Sequence, residues 1–252
     1  MRRWLLPFIL AVLLASVFQL SRVSAGWQFI VPNTAEADQV LYATGFDAVS
    51  DEWEEADDGQ RVAQTHDGMM QLTLDNPNDS VYAPLRWYFG DFDLQVEATV
   101  TGGVENNGFG VIFRQTDRKN YYYFLISADG YYQLVRVLNG TARTMSNWIP
   151  SPAIETGIMA KNQIRVVGQG DQFAFYVNNQ RLAVCIPDNP EAESTYDEFA
   201  EECKAGQMLE IFTDTALTYG HPGVIAISLN DPDVEVAFDN LIVTGPAANV
   251  VN

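Results

Sequence analysis

The chain has little of what catalysis and metal binding draw on. Its 252 residues include two histidines, His66 and His221, and two cysteines, Cys185 and Cys203. A histidine-based triad therefore has little to work with. Two thiols without nearby histidines fall short of a zinc set. There is no Gly-x-Ser-x-Gly, no phosphate loop and no metalloprotease motif. Bases are scarce as well: 14 Lys and Arg stand against 33 Asp and Glu, a formal charge of −19. Phosphate backbones repel such a chain, which argues against nucleic acid and against anionic membrane surfaces as partners.

The start of the chain is the exception to that acidity. Met1-Arg2-Arg3 is a short basic segment, and Trp4 to Leu20 is almost unbroken apolar sequence. Val23-Ser24-Ala25 follows with small residues at the −3 and −1 positions of a cleavage site. These are the three parts of a secretion signal, predicted over residues 1–25. The apolar run is slightly short for a spanning helix of about 20 residues, although an uncleaved anchor is the alternative. Removing the segment takes away Arg2, Arg3 and Arg22 and no acid, so the charge becomes 11 − 33 = −22. No second long apolar run follows, so the mature protein is expected to be soluble and to act in a secreted or extracytoplasmic setting. Two cysteines in a secreted chain most simply form one disulfide, Cys185–Cys203.

Beyond the signal the apolar pattern has period two, with turn residues every eight to twelve positions. That is the pattern of an all-β sandwich or barrel of short strands. Phe92, Leu94, Val96, Ala98 and Val100 alternate with Asp91, Asp93, Gln95, Glu97 and Thr99. Asp129-Gly130 and Asn139-Gly140 are strong hairpin turns. Residues 26–38 read as a lead-in, 39–245 as one domain, and 246–252 as a tail. Residues 186–204 break the rhythm with seven acids and no base before Lys204. They read as a hairpin insertion closed by the disulfide, with a short helix over 194–203 capped by Ser194.

Several stretches carry a resemblance. Gly108-Phe109-Gly110-Val111-Ile112-Phe113-Arg114 is followed by Asn120-Tyr121-Tyr122-Tyr123-Phe124, then by Asp129-Gly130-Tyr131-Tyr132-Gln133-Leu134. Phe175-Tyr176-Val177-Asn178-Asn179 and Val236-Ala237-Phe238-Asp239-Asn240-Leu241 complete the order. The series resembles concanavalin A-like jelly rolls of secreted bacterial proteins, with laminin-G-like modules and 3-keto-disaccharide hydrolase-like domains as nearest relatives. The resemblance implies a sandwich of two antiparallel sheets. It also implies a structural calcium ion between the first and last strands, at Asp47 and Asp239, and a concave sheet face carrying the Arg114 side. The Glu-x-Asp-x-(x)-Glu strand of family 16 glycoside hydrolases is absent. Asn106-Asn107-Gly108 and Tyr121-Tyr122-Tyr123 stand where the hydrolase-like domains have Asn-Ser-Gly and Gly-Tyr-Glu.

The expected function is a non-catalytic module that binds carbohydrate or another extracellular polymer through one sheet face. Candidate binding residues are Asp93, Gln95, Glu97, Arg114, Tyr121, Tyr123, Arg136 and Trp148. Flat rings with polar tips suit the apolar faces of sugars, and arginine beside carboxylate orients hydroxyls. The Asp93 and Glu97 carboxylates, and Arg114 and Arg165, have a plainer reading as a solvated sheet face with cross-strand ion pairs. One alternative is a glycoside hydrolase or keto-glycoside lyase-like enzyme using Asp93, Glu97 and Arg114. Spaced about 13 Å apart along one strand, Asp93 and Glu97 do not form a glycosidase pair by themselves. The other alternative is a structural or protein-interaction domain with the acidic insertion as its contact element. Asn78-Asp79-Ser80 and Asn139-Gly140-Thr141 are glycan acceptor sequons, of consequence only in a eukaryotic secretory pathway.

Overall fold

A computed structural model describes residues 35–189 and 191–247, and the backbone of 30–31. The expected signal peptide, most of the lead-in and the end of the tail lie outside the described residues. Within them there is no helix, and none long and apolar enough to cross a membrane.

Two large antiparallel sheets pack face to face. The six-stranded sheet runs in the order Thr141–Pro150, Tyr131–Leu138, Asn120–Ser127, Gly108–Asp117, His221–Ser228, Asp79–Pro84. The ten-stranded sheet has Phe92–Gly103 and Val234–Thr244 at its centre. Lys161–Gln169 and Gln172–Val177 extend it on one side, Met69–Leu74 and Arg61–His66 on the other. Alternation decides which side chains enter the core. On Phe92–Gly103 the even-numbered residues from Phe92 to Val100 are buried, and Gln95, Glu97 and Thr99 are only half-buried. Aromatic rings join the layers. Phe124 of the small sheet stacks on Phe175 of the large one with centroids 4.8 Å apart. Phe113 stacks on Tyr122 at 5.3 Å and meets Phe173 at 5.3 Å. Offset and edge contacts of this kind add roughly 0.5–1.5 kcal/mol each beyond area burial.

Two strands without a clean period-two pattern, Thr141–Pro150 and Asp79–Pro84, form the edges of the small sheet. Edge strands meet solvent on an open side, and Pro84 and Pro150 stand at strand ends where no ladder donor is required.

The insertion is a disulfide-closed hairpin. Val184–Pro187 pairs with Gly206–Leu209, and Cys185 bonds Cys203. The helix expected over 194–203 is not formed. Tyr196–Asp197 pairs with Glu202–Cys203 instead. The Asp197 carboxylate accepts the N–H groups of Phe199 and Ala200 at 2.9 and 3.0 Å. A short acidic side chain bonded to the backbone ahead of it favours a turn over a helix.

Candidate functional site

Along Asn120–Ser127 the side chains of Tyr122, Phe124 and Ile126 enter the core, and Tyr121, Tyr123 and Leu125 face outward. The outward residues join a second apolar cluster on the outside of the small sheet. Ile112, Leu125 and Ile225 are buried there beneath Tyr82, Tyr121, Tyr123, Trp148 and Ile227. The rings of Tyr82 and Tyr121 lie 5.9 Å apart, and those of Tyr121 and Tyr123 6.1 Å. Burial raises the phenol pKa of all three tyrosines. They stay neutral, with a hydroxyl able to donate as well as accept.

The Trp148 indole packs over Gly108, whose lack of a side chain leaves it room. A Cβ on Gly108 would stand 2.9 Å from Leu125 Cδ1 and 3.2 Å from the indole ring. Beside Trp148 opens a cleft of about 260 Å³, lined by Asn106, Ser127, Asp129, Tyr131, Glu198 and Leu229. The Ser127 hydroxyl donates to Asp129, and the Tyr131 N–H donates to Ser127 Oγ at 3.2 Å. Glu198 comes from the insertion, where Asn147 Nδ2 donates to it at 3.4 Å. The insertion is moored to the edge strand: Ser194 N–H donates to the Thr144 carbonyl, and Arg143 to that of Ala192. The disulfide-closed hairpin thus supplies one wall of this cleft.

The candidate residues expected on one face are divided among three places. Tyr121, Tyr123 and Trp148 come together as described. Asp93, Gln95 and Glu97 lie on the outside of the other sheet. There Asp93, 8% exposed, takes both arms of Arg165, with Nε donating at 2.7 Å. Arg165 also stacks over Tyr176 at 4.9 Å. Glu97 Oε2 accepts from Lys161 Nζ at 2.8 Å and Asn240 Nδ2 at 2.9 Å. Those two hydrogen bonds hold the Glu97 carboxyl below its ordinary range, whereas a general acid needs a raised one. Both carboxylates are engaged in cross-strand pairs.

Arg114 points the other way from expectation, and Arg136, whose facing the sequence left open, also lies on the core side. Arg114 is 1% exposed and lies in the interior. The cause is a bulge. Phe113 pairs with Tyr122, but the next paired residue is Asp117 opposite Asn120, and Arg114 has φ 54°. Four steps from Phe113 to Asp117 oppose two from Tyr122 to Asn120, so two extra residues break the alternation and the side chain expected on the outer face turns inward. Gly220 makes room, since a Cβ there would stand 2.3 Å from the Arg114 carbonyl carbon. Arg136 faces Tyr122 across the ladder on the core side and pairs with Asp214. The set Asp93, Glu97 and Arg114 therefore shares no site.

Asp47 and Asp239 both lie beside Gly45. Asp47 Oδ2 lies 3.2 Å and Asp239 Oδ1 4.0 Å from where a Cβ on Gly45 would stand. Two carboxylates suit calcium, which takes six to eight oxygens, so backbone carbonyls or water would have to complete the shell. Among the described residues no group of three or more His, Cys, Asp or Glu is placed to hold a metal.

No protein-family model matches the chain, and no curated protein matches it in sequence. Solved structures do match its architecture. The carbohydrate-binding module CBM66 from Bacillus subtilis superposes with a TM-score of 0.52 at 14% identity, over 77% of this chain and 95% of its own. A Bacillus subtilis protein of unknown function with a galectin-like fold gives 0.53 at 10% identity, over 84% and 98%. The fold is a concanavalin A-like jelly roll. A xylan β-1,4-xylosidase from Bacillus halodurans gives 0.51 at 11% identity, and the match spans 84% of this chain but 41% of that enzyme. At these identities the likeness concerns the fold.

Proposed function

We propose that the protein is a secreted, non-catalytic module that binds carbohydrate through the outer face of its six-stranded sheet. The observation that carries this reading is the apolar platform of Tyr121, Tyr123 and Trp148 beside a cleft of hydroxyl, amide and carboxylate groups. Sugar rings present an apolar face and a polar rim, and the platform and cleft supply the complement of each. The similarity in fold to a carbohydrate-binding module supports a carbohydrate-binding role. The Cys185–Cys203 disulfide suits an oxidising compartment. The carboxylates of the opposite face are tied into ion pairs, which removes the acids that a hydrolase would need there.

The test is retention on insoluble polysaccharides (xylan, levan and mucin) and calorimetry with their soluble fragments. Trp148→Ala is expected to weaken binding at least tenfold, about 1.4 kcal/mol, with Tyr123→Ala acting in the same direction. Lys161→Ala, on the opposite sheet, should bind as wild type. Equal binding by wild type and Trp148→Ala would remove the proposal. A protein-contact reading has one observation in its favour. Phe199, at the tip of the insertion, is fully exposed. It predicts a polypeptide ligand whose capture Phe199→Ser abolishes while sugar binding is absent.

A further inference from the structure

The platform continues past Trp148 to the opposite edge of the same sheet. The Trp148 and Tyr82 strands are the outer two of the six, so their backbones stand five spacings of about 4.8 Å, roughly 24 Å, apart; the rings reach inward from there, the Trp148 indole over Gly108 and the Tyr82 ring to Tyr121. Tyr121 spans part of that distance, its ring in contact with Tyr82 on one side and Tyr123 on the other. At the Tyr82 edge lie two clefts, of about 440 and 250 Å³. Both are lined by Tyr82, Glu54 and Arg118. Arg118 donates to Glu54 at 2.6 Å while remaining 80% exposed on its side chain, so this ion pair stands where the two clefts meet.

A guanidinium beside a carboxylate offers a donor and an acceptor a few ångströms apart. One hydroxyl can accept from the first while its neighbour donates to the second. With a tyrosine ring alongside, the pair offers the combination of ring and polar rim that hydroxyl, amide and carboxylate groups supply at Trp148. The acids Glu54, Asp57, Asp58 and Asp117 offset Arg61, Arg86 and Arg118 in the two clefts. That balance, in a chain of net charge −19, points to uncharged sugars over acidic ones.

We propose that the Tyr82 edge is a second sugar subsite on the face that holds Trp148, and that the ligand is an internal stretch of a linear, neutral polysaccharide running across the sheet. This rests on the carbohydrate-binding reading above. A single terminal sugar would fill one cleft, whereas clefts at opposite edges of one sheet call for a ligand of several rings.

Calorimetry with size-graded fragments of xylan, levan and β-1,3-glucan, from disaccharide to octasaccharide, tests it on the full chain. In the series that binds, affinity is expected to rise at least tenfold from disaccharide to octasaccharide. Tyr82→Ala should erase most of that gain and leave disaccharide affinity within twofold of wild type. Arg118→Ala, a change at an exposed side chain that does not endanger folding, should reduce octasaccharide affinity several-fold and spare the disaccharide. Length-independent affinity, or a gain that survives both substitutions, would overturn the second subsite and leave the Trp148 reading standing. If the wild type binds none of the three series but is retained on mucin, the subsite falls alone; if it is retained on nothing, the parent reading falls with it.

Discussion

Replacing Arg114 by methionine should make the protein more stable. Arg114 is enclosed between Phe92 and Phe173, its guanidinium carbon 5.5 Å from each ring centroid. One nitrogen donates to the Gly170 carbonyl at 3.1 Å and lies 3.7 Å from Asp91. Nε and Nη1 have no hydrogen-bond partner. Burial lowers the guanidinium pKa to about 10, against the raising effect of Asp91. The group is still charged at neutral pH, and desolvation opposes that charge. Each unsatisfied buried donor costs about 1–3 kcal/mol. Against this stand one hydrogen bond of about 1 kcal/mol and cation–π contacts of about 2 kcal/mol when desolvated. Methionine recovers part of the latter through sulfur–aromatic contact, about 0.3–1.5 kcal/mol. Two such donors cost about 2–6 kcal/mol and methionine forfeits about 1.5–3, so the balance centres on about 2 kcal/mol in favour of methionine; Asp91 loses the guanidinium but keeps the Gly170 N–H and stays partly exposed. For a domain of this size, that is a rise in Tm of about 2–4 °C per kcal/mol. Urea and thermal denaturation of the variant measure it. Arg114→Ala is the control and should be destabilising, because it leaves a cavity. A loss of stability in Arg114→Met would mean that the buried guanidinium is net stabilising, with Nε and Nη1 satisfied by something the protein side chains do not supply.

Other consequences can be checked with the same methods. Replacing Cys185 and Cys203 together by alanine should cost about 3 kcal/mol, given a separation of 18 residues. It should also weaken any ligand held at the Trp148 cleft, since Glu198 rides on that hairpin; unchanged stability in urea would contradict this. Burial lowers the pKa of His221. A depressed imidazole pKa means the unfolded chain binds more protons, so stability is complete above about 6.5 and declines as pH falls through the interval below it. His221→Phe should flatten that decline, and an unaltered pH–stability curve would contradict the assignment. Calcium should raise Tm through Asp47 and Asp239, and Asp239→Asn should abolish the rise; no shift with calcium on the wild type removes the site.

The all-β class, the alternation of Phe92–Gly103 and the outward set Tyr121 and Tyr123 were legible because each depends on local period. An antiparallel strand with one face in a core must alternate, so facing follows from position. The Cys185–Cys203 pair followed from there being two cysteines. Where the period is interrupted, the same rule misleads. The bulge at Arg114 is created by pairing with Asn120–Ser127 and His221–Ser228, and no residue within the strand announces it. The helix expected over 194–203 gave way to a hairpin held at both ends by the disulfide and by Thr144 of another strand.

Which candidates share a face was decided by the tertiary structure alone. Asp93 and Tyr123 both point outward from their strands, but their strands belong to opposite sheets of the sandwich. Outward is a property a strand carries by itself. Which outside it faces depends on how the strands are apportioned between the layers, and that is set by pairings between residues far apart in the chain. The sequence alone determined a β sandwich with aromatic side chains outside one strand; the packing of the two sheets decided that those rings meet Tyr82 and share an apolar cluster with Trp148, away from the carboxylates of Phe92–Gly103.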